Sequence, residues 1–134
     1  MRKTGWQARY GRESKKGGFC IFRHDFIDSL AFKSMSASSL QVYILLKRCF
    51  NGSNNGEIHL SCREISKKAN ISKNTAVKAF RELQAKGIIT QKQEGNFIDH
   101  MAAIWKLNTD KNKGENRPSD EWKNWKPGMD LTQT

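Results

Sequence analysis

Apolar positions fall along this chain in blocks whose spacing changes from one to the next. From Phe19 to Phe32 the residues Phe19, Ile21, Phe22, Phe26, Ile27, Leu30 and Phe32 predict a strand-like stretch followed by a short helix. Leu40, Val42, Tyr43, Ile44, Leu45 and Leu46 then run nearly all round a helical projection, as in a central buried helix, with Ser38 or Ser39 as its cap. Asn51-Gly52-Ser53-Asn54-Asn55-Gly56 is concentrated turn chemistry, because Asn and Gly tolerate positive φ, and it ends that helix. Glu57 to Leu60 predicts a short strand. Ser61 and Glu64 stand at the spacing at which two side chains cap a helix start reciprocally, and that helix runs to about Ala69 with Ile65, Ala69 and Ile71 supplying its inward face. Asn70 suits a tight turn, Ser72 caps the next helix, and Gly87 stops it. Ile88 to Lys92 predicts a strand, Glu94-Gly95-Asn96 a tip, and a returning strand lies within Phe97 to Leu107.

Phase matters most in the helix that begins at Ser72. At about 100° per residue, with Asn74 as zero, Lys78 falls near 40°, Arg81 near −20° and Ala85 near 20°. Ala76, Ala79, Phe80 and Leu83 fall near 200°, 140°, 240° and 180° by the same estimate. One stripe is built for a core, and the opposite one carries two cations and an amide. Arg and Lys can donate to guanine edges or phosphates, and an amide can pair with adenine, so the stripe suits a major groove. An ordinary solvated helix face is the plain alternative.

Charge sharpens the choice because of where it lies. The 134-residue chain carries a net charge of +11. Residues 1–16 hold Arg2, Lys3, Arg9, Arg12, Lys15 and Lys16 against Glu13, a net +5. Residues 61–92 hold Arg63, Lys67, Lys68, Lys73, Lys78, Arg81, Lys86 and Lys92 against Glu64 and Glu82, a net +6. From Thr109 onward five basic and five acidic residues balance. Cations that merely solubilised a surface would be spread more evenly, so the clustering points to an anionic partner, nucleic acid first.

The stretch Leu60-Ser61-Cys62-Arg63-Glu64-Ile65, the Ile71-Ser72 turn, the helix through Thr75, Lys78 and Arg81, and the exit Leu83-Gln84-Ala85-Lys86-Gly87-Ile88-Ile89 together resemble the winged helix-turn-helix proteins, of which the GntR and MarR families are familiar members. The resemblance covers about 50 residues and widens to small winged-helix proteins of bacterial plasmids, phages and integrative elements if Ala37 to Leu46 and Trp105-Lys106-Leu107 are included. It implies an α+β fold, mainly helical, with a small antiparallel β-sheet wing. It also implies binding to double-stranded DNA: Ser72, Lys73, Asn74 and Thr75 at the helix start, Lys78 and Arg81 in the groove, Lys92 and Asn96 on the wing, with Arg63 and Lys67 on the preceding helix. Transcriptional regulation and an accessory role in replication or recombination both fit. A protein-interaction module facing an acidic partner is the rival reading. There is no room for the effector domain of GntR-type regulators, so no small-molecule effector is expected, and no long MarR-type dimerisation helix, which leaves a homodimer open.

On this reading residues 1–18 are a flexible basic arm, 19–108 the domain, and 109–134 a polar tail. The arm could follow a minor groove or adjacent phosphates, or simply aid solubility. Trp122 and Trp125, three apart, would share a face if Ser119 or Asp120 caps a short helix, and such a pair suits covering core surface. Cys20, Cys49 and Cys62 lack CxxC spacing, His24, His59 and His100 are scattered, and neither a phosphate loop nor a HExxH helix is present. No metal, cofactor or catalysis is expected. Without a long apolar run or a signal-peptide core, the chain reads as a soluble cytoplasmic protein, on the nucleoid when bound.

Overall fold

The computed structural model describes residues 17–94, 103–112 and 114–132. The arm through residue 16 and the tip residues Gly95 and Asn96 lie outside that set. Among the described residues the order is α1 (His24–Ile27), α2 (Leu30–Lys33), α3 (Ala37–Cys49), β1 (Ile58–His59), α4 (Cys62–Ala69), α5 (Lys73–Ala85), β2 (Ile89–Gln93), β3 (Ile104–Leu107) and a 3-10 turn at Glu121–Asn124. Over the described residues the architecture is α+β, with five helices and one small antiparallel sheet in the order β1-β3-β2.

The central helix α3 starts earlier than the serine run suggested. Ser36, not Ser38 or Ser39, is its cap, with Oγ accepting from the Ser39 amide. Ser39 is fully buried, and its own hydroxyl is occupied by Ser36, which leaves it no role at the helix end. Val42, Tyr43 and Leu46 point into the core, whereas Ile44 stays exposed, so α3 is buried on one broad side rather than all round. The stretch before α1 also departs from expectation, since residues 19–23 join no sheet and α1 and α2 are single turns. Ser29 caps α2 by accepting from the Phe32 amide.

The α4–α5 pair follows the sequence closely. Ser61 Oγ accepts from Glu64 N–H at 3.0 Å while Glu64 Oε1 accepts from Ser61 N–H at 3.3 Å, a reciprocal cap of the kind that contributes about 1 kcal/mol. Asn70 ends α4 with φ 55°, in the left-handed region that Asn tolerates better than most residues, and turns the chain toward α5. Ser72 caps α5 by accepting from the Thr75 amide. Helix α5 packs against both α3 and α4, burying Ala76, Ala79, Phe80 and Leu83. Phe80, 2% exposed, stacks on Trp105 of β3 with ring centroids 4.6 Å apart and planes 9° apart. Full burial of such a ring contributes about 1.5–3 kcal/mol and fixes the face that α5 turns away from the core.

Strand β3 is central, pairing Trp105 with Ile58 on one side and Gln91 on the other, with a bulge between Gln91 and Gln93. Where the β1 pairing stops, Asn55 continues it. Its Nδ2 donates to the Leu107 and Asp110 carbonyls at 2.8 and 2.7 Å, and its Oδ1 accepts from the Leu107 amide at 2.6 Å. A side-chain amide thereby stands in for strand backbone.

After Leu107 the polar segment does not leave the domain. Asn108 is fully buried and donates to the Gly87 carbonyl and Thr90 hydroxyl. Thr109 bonds the Tyr43 hydroxyl at 2.7 Å, and Asp110 receives Lys47 Nζ at 2.6 and 2.7 Å. Burial raises the Tyr43 phenol well above its usual range. Trp122 and Trp125 are both buried, and Trp122 meets Phe26 edge-on at 5.0 Å. The tryptophans thus cover core, as their spacing suggested, although the turn holding Trp122 is a 3-10 turn and Asp120 precedes it without capping it through its side chain.

Candidate nucleic-acid interface

On α5 the phase inferred from the sequence is the observed one. Asn74, Lys78 and Arg81 are exposed on the side away from Phe80 and Leu83, Lys73 is exposed in the first turn, and Ala85 is half-buried. Ser72 is exposed at the start, and Thr75 is half-buried with its hydroxyl 2.8 Å from Ser72 Oγ. The first turn of α5 carries no acidic residue of its own to offset the positive dipole end. The first turn of α4 is different, because Glu64 already occupies it.

Arg63, Lys67 and Lys68 are exposed on α4. At the start of α4, burial pushes the Cys62 thiol up, and the charge of Lys73 opposes that shift. Lys92 is exposed on β2, next to the bulge. Asn96 lies outside the described residues.

Among the described residues, Arg63, Lys67, Lys68, Lys73, Lys78, Arg81 and Lys92 take part in no ion pair, and neither do Lys33, Arg48, Lys106, Lys111, Arg117 and Lys126, whereas Arg23, Lys47, Lys86 and Lys123 all do. What sets the first group apart is its clustering on α4, α5 and β2, of which α5 adjoins the other two. Unpaired exposed cations on adjoining elements leave a positive potential that an anionic ligand can neutralise.

Lys86 belongs to the second group, although the charge count along the sequence placed it with the basic helix. It is 5% exposed, donates to the Ala31 carbonyl at 3.2 Å and Ser34 Oγ at 2.9 Å, and pairs with Glu82 at 3.5 Å. It is fully engaged inside the protein. The sequence signal that could have found it is phase: Lys86 lies near 120° on the same wheel, closer to Ala79 and Leu83 than to Lys78.

Among the described residues there is no group of three His, Cys, Asp or Glu side chains placed to hold a metal ion, and no helix long and apolar enough to cross a membrane. Compared with protein-family models, with curated proteins and with solved structures, the chain matches none of them.

Proposed function

We propose that this chain is a winged helix-turn-helix module that binds double-stranded DNA, with α5 as the helix that enters the major groove. The single observation that carries the reading is the division of α5. Its Asn74, Lys78 and Arg81 face is exposed and without ion pairs among the described residues, while the opposite face is held by Phe80 and Leu83. The element order supports it: a helix, a short strand, two helices joined by a left-handed Asn, and two strands of which the last pairs with the first. In this reading Ser72, Lys73 and Thr75 meet phosphates at the start of α5. Asn74 and Arg81 reach base edges, Lys78 lies in the groove, and Arg63, Lys67 and Lys92 flank the backbone. The module serves a transcriptional regulator or a replication or recombination accessory factor of a bacterial mobile element.

Fluorescence anisotropy with labelled duplex over a range of salt concentrations tests it. Affinity falls linearly on a log-log plot, and Lys78→Gln lowers the slope by about one if Lys78 contacts a phosphate. Absence of duplex binding at low salt refutes the reading; retention of an acidic protein under those conditions would put the interaction-module alternative in its place.

A further inference from the structure

The C-terminal end of α5 is fastened from outside the helical core. The Ala85 carbonyl, which a helix end leaves without an intrahelical donor, accepts from the Leu131 amide at 2.7 Å. Lys86 Nζ lies 5.0 Å from the centroid of the Trp125 ring, and the indole Nε1 of Trp125 donates to the Met129 carbonyl, which closes residues 125–129 into a loop. Gly87, at φ +71°, is pressed from the same side: a Cβ there would stand 3.0 Å from Leu131 Cδ1 and 3.2 Å from the Glu121 backbone carbon. Glu82 adds a tie in the other direction by accepting from the Ser36 amide at 3.0 Å. The last turn of α5 is therefore gripped between the α2–α3 junction and a strap formed by residues 121–131.

The strap is not uniformly attached. Its first half is deep, with Trp122 buried and Asp120, which precedes it, bonded to Arg23. Its second half is shallow, since residues 126–130 are exposed and only Leu131 returns to the protein. Segments with few buried contacts open locally at lower free energy than the core.

We infer that Lys86, Trp125 and Leu131 are positioning residues. The strap sets where the exposed face of α5 stands, so its distal half governs ligand binding without touching the ligand. The consequence for DNA rests on the function proposed above; the anchoring of α5 does not. A contact face tolerates only about 0.5 Å of displacement before its contacts weaken, so a loosened last turn is felt at Arg81, one turn away.

Two measurements on the full chain test this. In hydrogen exchange without DNA, Leu131→Ala accelerates the Gly87 and Ile88 amides, which close the end of α5, by about tenfold, and leaves the Ile65 amide of α4 unchanged. Unchanged exchange at Gly87 and Ile88 overturns the anchoring, as does equal acceleration at Ile65, which would mean general destabilisation. In duplex binding, Leu131→Ala and Trp125→Ala weaken affinity by about fivefold at every salt concentration, giving a line parallel to the wild type, and Trp125→Phe, which keeps a ring beside Lys86 but loses the donor to Met129, restores it only in part. Lys86→Met behaves as these do, unlike Lys78→Gln, whose slope falls. Wild-type affinity in both strap variants, or a reduced slope for Lys86→Met, overturns the positioning role. If the wild-type protein binds no duplex, the DNA reading fails and the exchange result alone decides the anchoring.

Discussion

The α4–α5 side of the molecule and the seam between its N- and C-terminal segments use charge in opposite ways. On α4 and α5 the cations stand exposed and unpaired among the described residues. In the seam, Arg23 bonds Asp120 at 2.8 Å and also pairs with Asp25, Lys123 lies 3.4 Å from Asp120, and the buried Lys47 is held by both oxygens of Asp110. A cation that already has a carboxylate is a fastener, and one left without is available to a ligand. The contrast explains why net charge by segment misleads at Lys86, which sits within the basic stretch of sequence but belongs to the seam by its contacts.

Breaking each region should therefore register on different instruments. The largest effect lies under the boundary between them: Phe80→Ala removes the ring stacked on Trp105 and should cost about 3–5 kcal/mol in chemical denaturation, with unchanged stability showing that the α5 phase is wrong. Next, Asp110→Ala strands the Lys47 ammonium, only 7% exposed, and should cost about 3 kcal/mol, whereas removing both charges as Lys47→Met with Asp110→Ala should recover part of it. Neither change should alter the salt slope of DNA binding. On the open face, Arg81→Ala should leave the denaturation midpoint in place and cost about 1–3 kcal/mol of specific binding if it reads a base edge. An equal loss on random duplex would make it a phosphate contact.

The smallest effect is a pH effect. Hydrogen bonding from Arg23 holds the Asp25 carboxyl below the usual carboxylate range, so the unfolded chain binds its proton more readily than the folded one. Its contribution is present above the unfolded value and lost as pH falls through the folded one. Asp25→Asn should make the acid side of the stability profile shallower and leave neutral pH nearly unchanged, because the carboxylate is exposed and solvent screens the pair.

Legibility in the sequence follows the range of the interactions. The α4 cap, the Asn70 turn and the two faces of α5 depend on residues within a few positions of each other, and their spacing shows in the chain. The cap of α3 is equally local but was ambiguous, since three serines compete and burial of Ser39 decides among them. The segment from Thr109 onward reads as a tail because its bonds are long-range pairs of polar residues: Thr109 with Tyr43, Asp110 with Lys47, Asp120 with Arg23. Such pairs have no period, and polar composition alone reads as solvent-facing. The exposed and buried faces of α5 were legible residue by residue, and what charge counted by segment hid was Lys86, which only its phase sets apart from its exposed neighbours.

The amide of Asn55 carries a consequence for how the loop before β1 can vary. Because that one side chain holds both the Leu107 amide and its carbonyl, the loop is pinned at its final residues while Asn51, Gly52 and Ser53 remain exposed. Extra residues inserted between Gly52 and Ser53 would lengthen a surface excursion, losing the exposed bonds from Ser53 and Asn54 to Asn51 Oδ1 and from Asn51 N–H to Asn54 Oδ1, besides a small entropic cost. The same insertion after Asn55 would shift the amide away from the partner it serves. Tolerance to length change should thus switch from high to low within three residues.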